Sequence, residues 1–386
     1  MATTLEMPAA AATTKATISL DHLRQALKII EPALAGKTTI PVLHSVRMEQ
    51  LPEGLAVQAT DLEIAIRALI PENTELDRVL LISSDRFLSW VKLLAGEVVK
   101  ISANAARASV SCGRSKSAIP TYGAGAGPSY QPFNLSEGEA QAIKLAQADL
   151  ARLFKFGGFA MGDESRFALN QALLVGNGKT LRIVTTDGHR LAIYDMASRV
   201  EVNQLLPKRF IRAVQSVLND EGDITIKSTP ASQLAEIAAD IPVFIQCVKS
   251  ASSFPAYEKA IPASHDVAIS FSAAEMYGAL GRCLSMGDRS TNALALRFSA
   301  DEILIHSSDA QAGESDEVIS ATGGPETPIT IRLNGKYVVD GLKPLDGDAE
   351  ILLSRAPQSA LTIRATPKPD ELYQYVIMPL ANKGGN

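Results

Sequence analysis

A chain of 386 residues, 46% apolar and with a mean hydropathy of +0.08, exceeds what one hydrophobic core usually organises, so roughly two to four domains are expected. Charged residues make up 20%, and 37 Lys and Arg against 42 Asp and Glu leave a net charge of −5, which excludes a disordered or collagen-like chain and a globally basic one. A polyanion remains an acceptable partner only if the basic side chains gather on one surface.

The first fifteen residues, MATTLEMPAAAATTK, are rich in Ala and Thr, lack the basic start and apolar stretch of a signal peptide, and read as a flexible tail over 1–15. Leu20, Leu23 and Leu27 then predict a helix, and the alternating run GLAVQATDLEIAIRALI predicts strands. A second helix follows in SSDRFLSWVKLL, with Phe87, Leu88, Val91 and Leu94 on one stripe. The same succession returns with Leu150, Leu153 and Phe154, the strands of TLRIVTTDGHRLAIYDM, and the stripe Phe210, Ile211, Val214 and Val217. It returns once more with Met276, Leu280 and Leu284 and ends in strands such as ALTIRATP. Segments around Pro128 to Phe133 and Pro255 to His265 read as joints.

Three markers turn that succession into a repeat of about 125 residues. A Thr/Ser-Asp pair follows a β-rich run at Thr60-Asp61, Thr186-Asp187 and Ser308-Asp309. A base and an aromatic residue lead an amphipathic segment at Arg86-Phe87, Arg209-Phe210 and Lys336-Tyr337. A glycine and an acid open a strand at Gly96-Glu97, Gly222-Asp223 and Gly347-Asp348. Such a period is too long for a solenoid, so the expectation is an α+β protein of three repeated domains, 16–134, 135–264 and 265–386, each with two helices packed on antiparallel sheets.

Cys112, Cys247 and Cys283 form no CxxC pair and the five histidines no HxxxH, so neither a disulfide framework nor a local metal motif is expected, and a reducing cytoplasm fits. No apolar run approaches the roughly 18 to 20 residues of a membrane helix. The helices carry bases: Arg24 and Lys28, Arg86, Arg152, then Lys208, Arg209 and Arg212, Arg282, and Lys336. Each alone is most simply a solvated helix face. Repeated three times around an axis, they would add up to a cationic surface that attracts duplex DNA without reading its sequence. The acids cluster elsewhere, in Glu72 to Asp77, Asp220 to Asp223, Glu314 to Glu317 and Asp346 to Glu350.

With the repeat, the motifs ATDLEIAI, TDGHRLAIYD and the terminal YQYVIMPL resemble the bacterial DNA polymerase III beta subunit, the replicative sliding clamp, over residues from about 16 to about 381. The resemblance implies a DNA clamp fold in a ring-forming homodimer that encircles double-stranded DNA. It implies a non-catalytic tether for the DNA polymerase III alpha subunit, the clamp loader and other clamp-motif proteins, with no cofactor, no membrane and a cytoplasmic, nucleoid-associated place. It also implies a groove for short peptides with Gln, Leu and Phe anchors. Carried onto this sequence, one groove wall is Arg166, Leu169, Thr186, Gly188, His189, Arg190, Leu191 and Pro255. The other is Val376, Ile377, Met378, Pro379 and Leu380, approached by Asn334 and Tyr337. For DNA, Lys37 matches a loop base of the family, with Arg86 and Lys116 as companions. Departures from the family pattern are Asp163 in the MGDESRF loop, Thr291 where a larger apolar side chain is usual, and the extension beyond Leu380. They keep open a specialised plasmid, phage or resistance paralogue with an altered groove.

One rival reading takes Asp187, His189 and Arg190 as acid, base and anion clamp of an enzyme, since residues two apart on an extended segment share a side. No nucleophile motif or P-loop accompanies them, and the corresponding positions of the other repeats carry no histidine.

Overall fold

The computed structural model describes residues 14–380 apart from 37, 105, 123–140, 164, 167, 310, 312, 356–358 and 367. One order of elements occurs three times. The first repeat runs β1 (Thr14–Ser19), α1 (Leu20–Ile30), β2 (Ser45–Leu51), β3 (Gly54–Thr60), β4 (Ile64–Ile70), β5 (Leu80–Ser83), α2 (Ser84–Leu93), β6 (Val98–Ala103), β7 (Arg107–Cys112) and β8 (Ser115–Tyr122). The second runs β9 (Gln141–Ala146), α3 (Gln147–Gly157), β10 (Gln171–Asn177), β11 (Thr180–Thr186), β12 (Arg190–Ala197), β13 (Glu201–Pro207), α4 (Lys208–Gln215), β14 (Asp223–Ser228), β15 (Ser232–Ile237) and β16 (Val243–Val248). The third runs β17 (Val267–Ser272), α5 (Ala273–Met286), β18 (Ala293–Phe298), β19 (Glu302–Asp309), β20 (Gly313–Thr322), β21 (Ile329–Asn334), α6 (Gly335–Leu342), β22 (Asp348–Leu353), β23 (Leu361–Ala365) and β24 (Glu371–Ile377). Each repeat therefore opens with a strand, and β1 takes in Thr14 and Lys15, the last two residues of the expected tail, because their pairing with Ala103 and Ser102 makes them part of the sheet. The remainder of that tail and the joint around Pro128 lie outside the described residues.

The sequence markers are local structural devices. Thr60-Asp61 and Thr186-Asp187 each close the turn between the third and fourth strands of a repeat. Asp61 Oδ1 accepts the amides of Glu63 and Ile64, and Asp187 Oδ1 those of His189 and Arg190. Both threonine hydroxyls donate four residues on, to the carbonyls of Ile64 and Arg190. The residue after each aspartate has positive φ, Leu62 in one turn and Gly188 in the other. The base-aromatic pairs open α2, α4 and α6, and Gly96, Gly222 and Gly347, all with positive φ, precede β6, β14 and β22. The first helix of each repeat is tied to that third marker: the amides of Leu20, Gln147 and Ala273 donate to the carbonyls of Glu97, Gly222 and Gly347.

Two compact units result: residues up to Ala148 with Arg212–Lys249, and Asp149–Ile211 with the chain from Ser250 onward. The first contains one antiparallel sheet in the order β1-β6-β7-β8-β5-β2-β3-β4-β16-β15-β14-β9. The second contains another, β13-β10-β11-β12-β24-β23-β22-β17-β20-β19-β18-β21. Repeats are joined within these sheets by one rule, the fourth strand of a repeat pairing with the eighth of the next. Thus β4 pairs with β16, Ala68 opposite Val243 and Ile64 opposite Cys247, and β12 pairs with β24, Leu191 opposite Val376. The fourth strand of the last repeat, β20, and the eighth of the first, β8, have no such partner among the described residues. Beyond two register pairs each with β17 and β5, residues 313–320 and 115–120 keep one edge open.

Helical spacing decides which residues the core receives. α1 buries Leu20, Leu23, Leu27 and Ile30 over β3 and β4, and α5 buries Met276, Leu280 and Cys283 over β19 and β20. Ser272 caps α5 by accepting the amide of Glu275. In α6, Gly341 is dictated by packing: a Cβ there would stand 2.3 Å from Cδ1 of Tyr375, which is fully buried. Gly341→Ala is expected to lower stability by about 1–3 kcal/mol despite the better helix propensity of Ala, read as a lower urea midpoint at unchanged slope. Among the described residues no helix is long and apolar enough to cross a membrane.

Candidate binding groove and helix cations

The turn between β11 and β12 and the end of β24 come together because Arg190 stands opposite Ile377 in the register, and the amide of Met378 continues the ladder to the carbonyl of His189. Beside them Val184, Leu191, Ile193, Ala360 and Val376 form a buried apolar floor, on which Phe254, Tyr257 and Ile261 pack. Above it opens a groove of about 470 Å³, lined by Leu169, Thr186, Gly188, Arg190, Leu191, Pro255, Val376 and Met378 of the expected residues. It is also lined by Ala256, Tyr257, Lys259, Ala260, Ile261, Pro262, Ser359 and Ala360, which the sequence did not point out.

The other expected groove residues fall nearby but outside the lining. Ile377 is fully buried on the opposite face of β24, as strand alternation between Val376 and Met378 requires. His189 is exposed on the turn, Arg166 donates to the carbonyl of Asp187 at 2.9 Å, and Asn334 caps α6 by accepting the amide of Lys336. Pro379 follows Met378, and the amide of Leu380 donates to the carbonyl of Arg332. Thr291 donates to Asp288 and lines a separate polar cavity of about 300 Å³ with His306 and Arg332. Asp163 is exposed, and the residues beyond Leu380 lie outside the described set.

Arg190 is a cation set into the groove wall and held there through Nε and Nη1. Its Nε donates to Asp187 Oδ2 at 2.9 Å and its Nη1 to Asp340 Oδ2 at 2.5 Å and to Tyr375 Oη at 3.4 Å. The guanidinium lies 4.4 Å from the ring centroid of Tyr337. Burial works against its charge, but Tyr375, Asp340 and Asp187 outweigh that and raise its pKa. Burial pushes the Tyr375 hydroxyl up as well, Arg190 pulling the other way. Because Asp187 spends both oxygens on the turn and on Arg190, it is not directed at the His189 ring, and no acid-base dyad forms.

The helix bases divide into two groups. Several are already matched. Arg24 donates to the carbonyls of Val91, Lys92 and Leu94, closing the C-terminal end of α2. Arg152 pairs with Glu371 at 2.7 Å, Arg282 holds Glu317 by two bonds of 2.8 and 2.7 Å, and Lys208 donates to the carbonyls of Met161 and Gly162. Arg209 is half-buried. Lys28, Arg86, Arg212 and Lys336 are exposed and free of ion pairs among the described residues. Lys116 lies on the exposed face of β8 rather than on a helix, and Lys37 is outside the described residues. Among the described residues no group of three or more His, Cys, Asp or Glu side chains is placed to hold a metal ion.

Three family profiles match the chain in succession: DNA polymerase III beta subunit, N-terminal domain over residues 14–131, central domain over 144–246 and C-terminal domain over 258–381. Relatives named beta sliding clamp are similar along nearly the whole length. That of Vibrio cholerae serotype O1 is 24% identical, covering 95% of this chain and 99% of its own. That of Escherichia coli K12 is 25% identical with the same coverage, and that of Pseudomonas putida KT2440 is 26% identical over 94% and 99%. Among solved structures, a DnaN sliding clamp of Pseudomonas aeruginosa bound to griselimycin superposes with a TM-score of 0.84 at 22% identity, over 96% of this chain and 100% of that one. The DnaN sliding clamp of Bartonella birtlesii, also bound to griselimycin, gives 0.85 at 20% identity, with the same coverage. At that identity the two structures speak for the fold.

Proposed function

Because this chain belongs to the DNA polymerase III beta subunit family, we propose that it is a sliding clamp, a non-catalytic ring of two copies that encircles duplex DNA and tethers DNA polymerase III and other clamp-binding proteins. The observation that carries this reading is the strand-pairing rule. Fourth and eighth strands of successive repeats join at β4–β16 and β12–β24, and only β20 and β8 are left over. A second copy, placed head to tail, supplies the missing partner to both, and six repeats close on themselves. The two edges are electrically matched: Glu314 and Asp316 are exposed on β20, while Lys116 on β8 and Arg107 on β7 are exposed on the other. Val318, 57% exposed on β20, is an apolar side chain such an interface would cover.

A ring holds DNA by topology, so Lys28, Arg86, Arg212 and Lys336 need only weak, mobile phosphate contacts across water. The groove over Val184 and Leu191 suits short peptides with apolar anchors, with Met378 as an adaptable wall. The protein's three domains follow the three repeats, which open at β1, β9 and β17, so that the first begins at Thr14 rather than at 16, and its place is on the nucleoid in the cytoplasm.

The deciding experiment loads the protein onto nicked circular DNA with a clamp loader and then cuts the circle. Retention on the circle and rapid loss from the linear form are expected. Equal retention on both would dismiss encirclement. Reversing Arg86, Arg212 and Lys336 to Glu alters six bases in a ring of two copies, and should reduce loading and flatten its salt dependence by up to about five units of log-log slope.

A further inference from the structure

We infer that Arg182, oriented by Asp195, is the positioning residue that latches the far lip of the groove through the Tyr257 hydroxyl, and that release of this latch lets a bound peptide leave. The inference rests on the peptide-groove reading above. The lip, residues 253–264, is attached to the sheet by side chains alone. Its flanks are secured: Gln171 Nε2 donates to Ser252 Oγ at 3.2 Å, and the amide of Asp266 donates to the carbonyl of Leu353 at 2.8 Å. Between them Phe254, Tyr257 and Ile261 pack on the apolar floor. Among the described residues, 253–264 make one hydrogen bond to the rest of the protein, the one that Tyr257 Oη accepts from Arg182 Nη1 at 3.4 Å. Pro255 and Pro262 have no amide to offer.

Arg182 and Asp195 stand opposite each other on β11 and β12, two residues along each strand from Val184 and Ile193, and therefore on the same face as the floor. The Asp195 side chain is 12% exposed and accepts Nε on Oδ1 and Nη2 on Oδ2, both at 2.7 Å. That forked pairing fixes the plane of the guanidinium and leaves Nη1 for the phenol. Neither member of the pair lines the groove, but Tyr257 does. The pair therefore acts on the groove only by holding the ring that forms its lip. A segment without backbone bonds to its neighbours opens at a small fraction of the free energy of global unfolding, so one phenol bond is a sizeable share of what keeps it shut. Loss of that bond should raise the open population about three- to tenfold.

The test uses the full chain and trypsin, whose cut after Lys259, an exposed residue of the lip, reports how often the lip opens. Tyr257→Phe loses the hydroxyl and keeps the ring, and should speed that cut about three- to tenfold while the melting temperature stays within about 2 °C. Arg182→Lys keeps a cation beside Asp195 but not the fork, and should do the same. The double variant should be cut no faster than either single one, since each breaks the same bond; effects that multiply would mark separate losses of packing. A labelled short peptide with Gln, Leu and Phe anchors, followed by fluorescence anisotropy, should dissociate from both variants faster by the same factor as the cut. A cut rate unmoved by Tyr257→Phe, single effects that multiply, or unaltered dissociation of a bound peptide overturns the assignment while leaving the groove reading intact. Where Arg182→Lys melts early, Tyr257→Phe alone decides. If the wild type binds no such peptide, the groove reading fails, and the cut rates still decide the latch.

Discussion

The double replacement Glu314→Lys and Val318→Lys is expected to yield a folded monomer of about 41.0 kDa in sedimentation, against the dimer expected of the unaltered chain. Both side chains are exposed on β20, so the cost to the fold is small. The cost to the interface is large, because two new positive charges face an edge that already carries Lys116 and Arg107. Like charges brought together across a desolvated contact cost several kcal/mol, and about 3 kcal/mol over a seam already weakens association more than a hundredfold. The reciprocal variant, Arg107→Glu with Lys116→Glu, should be monomeric for the mirror-image reason. Mixed, the two variants should pair with each other: one seam then joins the lysines to the glutamates, and the other is unaltered. Dimerisation of either variant alone, or failure of the mixture to pair, would remove β20 and β8 as the closing edges.

The second large effect concerns the groove. Met378→Asp should weaken binding of a labelled short peptide with Gln, Leu and Phe anchors by about thirtyfold or more while the dimer survives. Met378 is 45% exposed, and the hydrogen bond its backbone amide donates to the carbonyl of His189 is independent of its side chain, so the fold tolerates the change. A charge in the apolar wall must either stay solvated, excluding the anchor, or lose water without a partner, and either outcome removes an interaction of the size carried by a central anchor residue. Deleting the chain from Val376 onward would be a poorer probe. Val376 and Ile377 are buried members of β24, paired with Thr362, Leu361, Leu191 and Arg190, so their loss would damage the sheet as well as the groove. Unchanged affinity in Met378→Asp would place the peptide elsewhere.

The triplication was legible because its markers are local. A Thr-Asp turn, a helix start and a positive-φ glycine are each fixed by residues within a few positions, so they leave the same trace wherever the repeat recurs. The apolar stripes of α1, α2 and α5 were legible for the same reason. The state of the helix bases was not. Arg152 meets Glu371 after 219 intervening steps of chain, and Arg282 meets Glu317 from the facing strand, so a row of cations in the sequence becomes a row of partly neutralised ones in the fold. The far lip of the groove was missed because residues 255–262, rich in Pro and Ala, have no periodicity and look like a joint. Only the floor formed by Val184 and Ile193 reveals that Tyr257 and Ile261 pack there. Ile377 shows the complementary limit: YVIMPL marks the segment, but only strand alternation says which of its side chains face the groove.

Under the proposed closure, the joining of fourth to eighth strands also sets where such an assembly would come apart. In a closed pair, four of the six junctions lie within covalent chains, where a parted sheet is still tethered by its own backbone and closes again at once. The remaining two, one at each meeting of β20 with β8, have no tether. Any machinery that admits a DNA strand is thereby given two predetermined doorways half a circuit apart, and prising one leaves the other as the hinge.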